Sequence, residues 1–67
     1  MTVARVTEIS STSDKSFDDA VKVGIERAAK TLRGMTSAWV KDQHVKVEND
    51  KIVHYRVNLA VTFVLDD

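Results

Sequence analysis

The stretch that most constrains this chain is the alternation near its C-terminus. Tyr55, Val57, Leu59, Val61, Phe63 and Leu65 fall on one side, and Arg56, Asn58, Ala60, Thr62 and Val64 on the other. Period two is the repeat of a β-strand, whose successive side chains point to opposite faces. A slip of one residue would exchange those faces, so the stretch demands a partner that covers its apolar side. The strand is predicted over Ile52–Leu65. One other stretch can supply the cover: Phe17, Val21, Ile25, Ala28 and Leu32 recur three or four residues apart, predicting a helix over Asp14–Arg33. Ala20 and Gly24 lie on the same side. Glycine weakens a helix, so Gly24 is expected where the sheet approaches closely.

The helix carries its own start and stop signals. Ser10–Asp14 reads as a polar connection with Ser13 as N-cap, its hydroxyl accepting a free backbone N–H. It is not a phosphate loop, because it has no glycine and no lysine at the required spacing. Asp14, Asp18 and Asp19 at the start and Arg27, Lys30 and Arg33 at the end complement the helix dipole. Asp18–Lys22 and Glu26–Lys30 are acid-before-base pairs four apart. Gly34 suits a left-handed helix end. Val23 lies off the apolar stripe, where a neighbouring subunit would meet it.

Two further strands flank the helix. Thr2–Ile9 is rich in β-branched residues. Thr36–Val47 forms the second strand, with Ala38 and Val40 facing inward, Gln43 or Val45 expected to continue that inward set, and Ser37, Trp39 and Lys41 facing outward. Glu48–Lys51 is a hairpin turn. The expected fold is α+β, a β-α-β-β unit with a three-stranded antiparallel sheet partly wrapped around one helix. All 67 residues form one domain (1–67). A helix covers only one face of such a sheet. The other face, with Trp39, Ala60, Thr62 and Val64 among polar residues, has the mixture of a subunit interface.

Composition narrows the function. A 67-residue core is small, and such domains lean on disulfides, metals or oligomerisation. There is no cysteine, and His44 and His54 show no metal-ligand spacing and read as exposed strand residues, so oligomerisation is expected. Ten basic residues balance ten acidic ones, which argues against nucleic acid as a partner. No apolar run approaches a membrane span, and the N-terminus lacks signal-peptide character, so the chain reads as soluble and cytoplasmic. No nucleophile sits with a base, no carboxylates pair at a defined spacing, and no metal motif occurs. The chain is therefore expected not to be an enzyme.

The order of these features resembles the dodecin family over essentially the whole chain. The resemblance rests on Thr12-Ser13, Ile25-Glu26-Arg27-Ala28 followed by Lys30-Thr31-Leu32, the Asp42-Gln43 pair, and Tyr55-Arg56-Val57 leading to Val61-Thr62-Phe63-Val64-Leu65. It implies a hollow homododecamer of 23 symmetry that stores and sequesters flavin (riboflavin or FMN) in pockets between protomers. Ser37 stands where flavin-binding members carry the ring-stacking tryptophan, and Arg56 where they carry a glutamine that bonds the ring edge. Lys46 stands where some members carry an acid. The implied pocket residues here are Ser37, Trp39, Asp42, Gln43 and Arg56. Trp39 has two readings, an aromatic packing on a symmetry mate or a relocated stacking platform roughly 6.6 Å along the strand from Ser37. Arg56 also has two: pairing with Asp42 or another acid, or binding a phosphate or carboxylate. Family branches without the flavin tryptophan include calcium-associated members. The alternative function is thus a flavin-free structural or calcium-binding dodecamer. Asp42, Glu48 and Asp50, with Asp66 and Asp67, would supply oxygens across subunits.

Overall fold

The computed structural model describes residues 3–65. The order is β1 (Ala4–Ser13), α1 (Phe17–Ala28), β2 (Met35–Glu48) and β3 (Lys51–Val64). The sheet is antiparallel, with β3 in the centre and β1 and β2 at its edges. The alternation of β3 is borne out: Val57, Leu59 and Val61 are fully buried, and Tyr55 and Phe63 partly so. Leu65 falls beyond the strand and is exposed. The hairpin turn is Asn49–Asp50, with φ of 51° and 62°. Positive φ at both central residues makes a turn whose twist matches the flanking strands.

The helix touches the sheet through its smallest residues. Ala20, Gly24 and Ala28, four apart, are its buried positions. Phe17, Val21 and Ile25 pack beside them as partly buried flanks. Phe17 meets Tyr55 edge to face, at 5.2 Å between centroids. A Cβ on Gly24 would lie 2.8 Å from the Ser11 Cβ and 3.4 Å from Leu59. The close approach expected at Gly24 is real, and its partner is a serine.

That contact explains two departures from expectation. Ser10–Ser13 is the end of β1, not a connection. Ser11 and Ser13 continue the inward set of Ile9, and both are buried because only small side chains fit beneath the helix. The N-cap is therefore Ser16, whose Oγ accepts from the Asp19 N–H at 3.0 Å. Ser13 instead accepts from the Lys15 N–H and donates to Asp19 Oδ2. The helix also stops at Ala28 rather than Arg33. The Ala28 carbonyl accepts from the N–H groups of Thr31 and Leu32 and from the Thr31 hydroxyl. The chain unwinds over that one carbonyl, and Leu32 reaches the core from outside the helix. Gly34 has φ of 74°, six residues past the helix end, and its carbonyl accepts from Val64 N–H. Among the described residues, neither Asp18–Lys22 nor Glu26–Lys30 comes within ion-pair distance.

Three register shifts shape the hairpin. Thr36 and Lys41 are extra residues in β2, and Val53 is extra in β3. The Lys41 bulge reverses the parity of everything after it. Val40 pairs with Leu59 on the helix side, then Asp42 pairs with Asn58 on the outer side. Gln43 and Val45 thus face the helix side, opposite Val57 and Tyr55. The helix packs on β1 and β3, so Ala38 and Val40 face inward as expected yet remain exposed.

On the outer face, Lys41 Nζ donates to Glu8 Oε1, bridging β2 to β1 across β3. Ala60 lies beneath this bridge and keeps 6% exposure. The hydrogen bond from Lys41 to Glu8, and then the charge of that carboxylate, raise the Lys41 ammonium above its ordinary 10.5. The molecule is long, 51 × 19 × 13 Å, with a radius of gyration of 13.8 Å against about 11 Å for a compact domain of this length. Its accessible surface is 5237 Å², roughly 1,000 Å² above that of a compact monomer of its mass.

Two outcomes are expected. Gly24→Ala should destabilise the protein by about 1–3 kcal/mol, because its Cβ meets backbone-fixed Ser11 Cβ. A double cycle with Ser11→Gly, in urea at fixed protomer concentration, should recover part of that loss. Strict additivity would contradict the close contact. The raised Lys41 contributes stability that is full below 10.5 and is lost as pH rises through its higher folded value. The pair is exposed, so the contribution is small. Glu8→Gln should return the Lys41 titration, followed by side-chain NMR, toward 10.5; an unchanged titration would refute the pairing.

Candidate functional site

The outer face of the sheet is built from rows that run across the strands. Residues opposite one another in an antiparallel pair share a face and lie about 4.5–5.5 Å apart. Val6, Thr62 and Ser37 form one row. Glu8, Ala60 and Trp39 form the next, then Ser10, Asn58 and Asp42, then Thr12, Arg56 and His44. Past the end of β1, His54 pairs with Lys46 alone. No helix covers these rows, and Trp39 is 71% exposed.

Most polar groups in the centre of the face have a partner. Asn58 Nδ2 donates to Asp42 Oδ1 at 2.6 Å. Arg56 Nε donates to Thr12 Oγ1 at 3.3 Å. Lys41 is held by Glu8. Glu8, Ile9, Ser10, Lys41, Asp42 and Asn58 together line a shallow hollow of about 380 Å³ beside Trp39. The hollow has paired acceptors and donors on its floor, and Trp39 lies in the adjoining row, opposite Ala60. Such a surface can hold a flat heteroaromatic molecule by stacking and edge hydrogen bonds.

Of the residues expected in the pocket, Ser37, Trp39, Asp42 and Arg56 share this face. Ser37 and Trp39 are neighbours along β2 with no bulge between them. Gln43 is on the opposite face. Simple alternation would put Gln43 beside Trp39 and turn Asp42 away, and the Lys41 bulge reverses both. The expected pairing of Arg56 with Asp42 is replaced by Arg56 with Thr12 and Asp42 with Asn58. Glu8, Lys41 and Asn58 line the hollow without being marked as site residues by the sequence. The signal for Asn58 was present, since it belongs to the outward set of β3. Glu8 and Lys41 meet only through the sheet order and the bulge.

The candidate cation ligands do not converge within one protomer. Asp42 is engaged by Asn58. Glu48 lies six residues further, roughly 20 Å along the strand, 3.5 Å from Lys46. Asp50 sits in the turn. No group of three histidine or acidic residues is placed to hold a metal ion among the described residues. Asp66 and Asp67 lie outside them. No helix among the described residues is long and apolar enough to cross a membrane.

Comparisons with known proteins agree with this architecture. No curated protein matches the sequence. Solved structures do. Dodecin from Streptomyces davaonensis superposes with a TM-score of 0.94 at 33% identity, covering 98% of this chain and 97% of that one. Dodecin from Streptomyces coelicolor gives 0.94 at 32% identity, covering 98% and 94%. The calcium chelating immunodominant antigen of Mycobacterium tuberculosis, described as a calcium dodecin with a novel calcium-binding site, gives 0.83 at 28% identity, covering 96% and 91%. The family model Dodecin matches residues 3–66. With its β-α-β-β order, its single helix on an antiparallel sheet and a family match over nearly its whole length, the chain belongs to the dodecin family.

Proposed function

We propose that this chain is a binding and storage protein rather than an enzyme, and that it assembles as a homododecamer of 23 symmetry. Its ligand is a flat heteroaromatic molecule of the flavin type, riboflavin or FMN, held between protomers and not turned over. The observation that carries this reading is Trp39, an indole 71% exposed on an uncovered sheet face. Its neighbours are polar residues already set by hydrogen bonds. The residues present fit a flavin. Trp39 supplies the stacking plane in place of Ser37, and Asn58, Asp42 and Arg56 supply edge donors and acceptors. Bound flavin would bring the redox and light-absorbing ring; the residues named would stack on it, orient it and shield it from water. The surplus surface of about 1,000 Å² per protomer exceeds the ~800 Å² per partner of a stable interface, which supports assembly.

A second reading has a specific observation in its favour, the 28% identical calcium dodecin of Mycobacterium tuberculosis. Here the carboxylates do not meet within a protomer, so a calcium ion would take Asp42, Glu48 or Asp50 from different copies.

Light scattering should give a particle near twelve times the 7.5 kDa chain mass. A monomer would reject the assembly. Riboflavin or FMN added to the assembled protein should lose fluorescence with saturable stoichiometry, and Trp39→Ala should weaken binding about tenfold. Quenching that persists unaltered would make Trp39 an interface residue, and no quenching in the micromolar range would reject flavin storage. Calorimetry with calcium, with Asp42→Asn as control, decides the second reading. Heat lost in that variant would establish it, and no heat would reject it.

A further inference from the structure

The hairpin carries two irregularities of opposite sense. Lys41 is an extra residue in β2, between the pairs Val40–Leu59 and Asp42–Asn58. Val53 is an extra residue in β3, between the pairs Lys46–His54 and Val47–Ile52. The first moves the pairing by one position and the second moves it back. The block of Asp42–Lys46 against His54–Asn58 is therefore displaced by one residue. Val40–Leu59 on one side of it and Val47–Ile52 on the other keep a common register. Regular pairing also fits between those fixed ends. It sets Lys41 opposite Asn58, Gln43 opposite Arg56, Val45 opposite His54 and Lys46 opposite Val53. It breaks the pairing of neither the core half nor the turn, because the two bulges cancel.

The two arrangements are closely matched. The present one holds the bond from Asn58 Nδ2 to Asp42 Oδ1 at 2.6 Å. The shifted one gives up that bond, adds a strand pair and removes both bulges. From His54 onward β3 keeps its faces in either case, so Val57, Leu59 and Val61 stay under the helix. The side chains that change faces belong to Asp42–Glu48 and Lys51–Val53. All of these are exposed except Val45 and Val53, which are half-buried, so the exchange alters burial little. A hairpin lacking both Lys41 and Val53 would present the same outer face with unbroken pairing. Neither extra residue is needed for the face itself.

We propose that Asp42–Lys46 and His54–Asn58 form a sliding register block. It is a two-state element that exchanges Asp42, His44 and Lys46 on the outer face for Lys41, Gln43 and Val45, while the core and the turn stay paired. A ligand shifts such a balance only by its preference for one arrangement. One that bonds Asp42 beside Asn58 draws the block into the present register. That consequence rests on the flavin-type reading above; the two registers do not.

The chain has no cysteine, so introduced pairs report the register. Residues directly opposite one another, about 4.5–5.5 Å apart, suit a disulfide, and side chains on opposite faces do not. Lys46→Cys with His54→Cys marks the present register, and Val45→Cys with His54→Cys the shifted one. Gln43→Cys with His54→Cys is opposite in neither and reports a loosened arm. The full-length protein is oxidised in a glutathione buffer, and bonds within and between chains are separated by denaturing electrophoresis. The first two pairs should close within the chain, the second more slowly, and both well ahead of the third. Asn58→Ala, which removes the bond made only in the present register, should speed the second pair several-fold. Deleting Lys41 together with Val53 should abolish the second pair and spare the first. A second pair no faster than the third would overturn the switch, as would one unmoved by Asn58→Ala or by the double deletion. Saturating riboflavin should slow the second pair. Riboflavin that is quenched yet leaves that rate unchanged would overturn the link to the ligand. If riboflavin is not quenched, the storage reading fails, and the three cysteine pairs still decide the registers.

Discussion

A short helix on a long sheet governs this structure. Twelve helical residues span roughly 18 Å, while fourteen-residue strands span roughly 46 Å. One helix therefore buries one part of one face, over Val57, Leu59 and Val61. The rest of the hairpin projects as an arm, with Val47 and Ile52 exposed near its tip. The burial that exists depends on close seating. Ala20, Gly24 and Ala28 present almost no side chain, so the helix axis drops onto Ser11 and Leu59. A large residue at any of these positions would lift the helix and open the small core.

Much of the fold was legible in the sequence because its strongest signals are local. The alternation of Tyr55–Leu65, the stripe Phe17–Val21–Ile25 and the turn at Asn49–Asp50 each follow from a period or a backbone preference. Ser10–Ser13 reads as a connection in the sequence because serine and threonine favour turns and caps. Here two of those serines are strand residues buried under a glycine. That role is visible only once Gly24 and Ser11 are known to face one another. The early helix end is similarly non-local, since Leu32 reaches the core without being helical.

The site was half legible for the same reason. Ser37, Trp39 and Arg56 follow from parity along uninterrupted strands. Asp42 and Gln43 do not, because no residue type announces the bulge at Lys41. Glu8 joins the site across two strands, a contact set by the sheet order. The pairs Glu8–Lys41 and Asn58–Asp42 give the charged groups in the middle of the face hydrogen-bonding partners. On one side of them lies the bare indole of Trp39, and on the other His44, Lys46, His54 and Arg56.

The bulge at Lys41 also makes the two ends of β2 separable. Before it, the strand's faces are tied to Leu59 and Val61 and cannot turn without unpacking the core. After it, parity is a free choice, because no helix covers the arm. Deleting Lys41 would join Val40 to Asp42 and keep every later side chain on its present face, whereas regular pairing with Lys41 retained would bring Gln43 and Val45 to the outer face and send Asp42, His44 and Lys46 to the other. The buried half would keep its register. One switch from bulged to regular pairing at this point would thus replace the chemistry of the arm wholesale, with every side chain on it unchanged in identity.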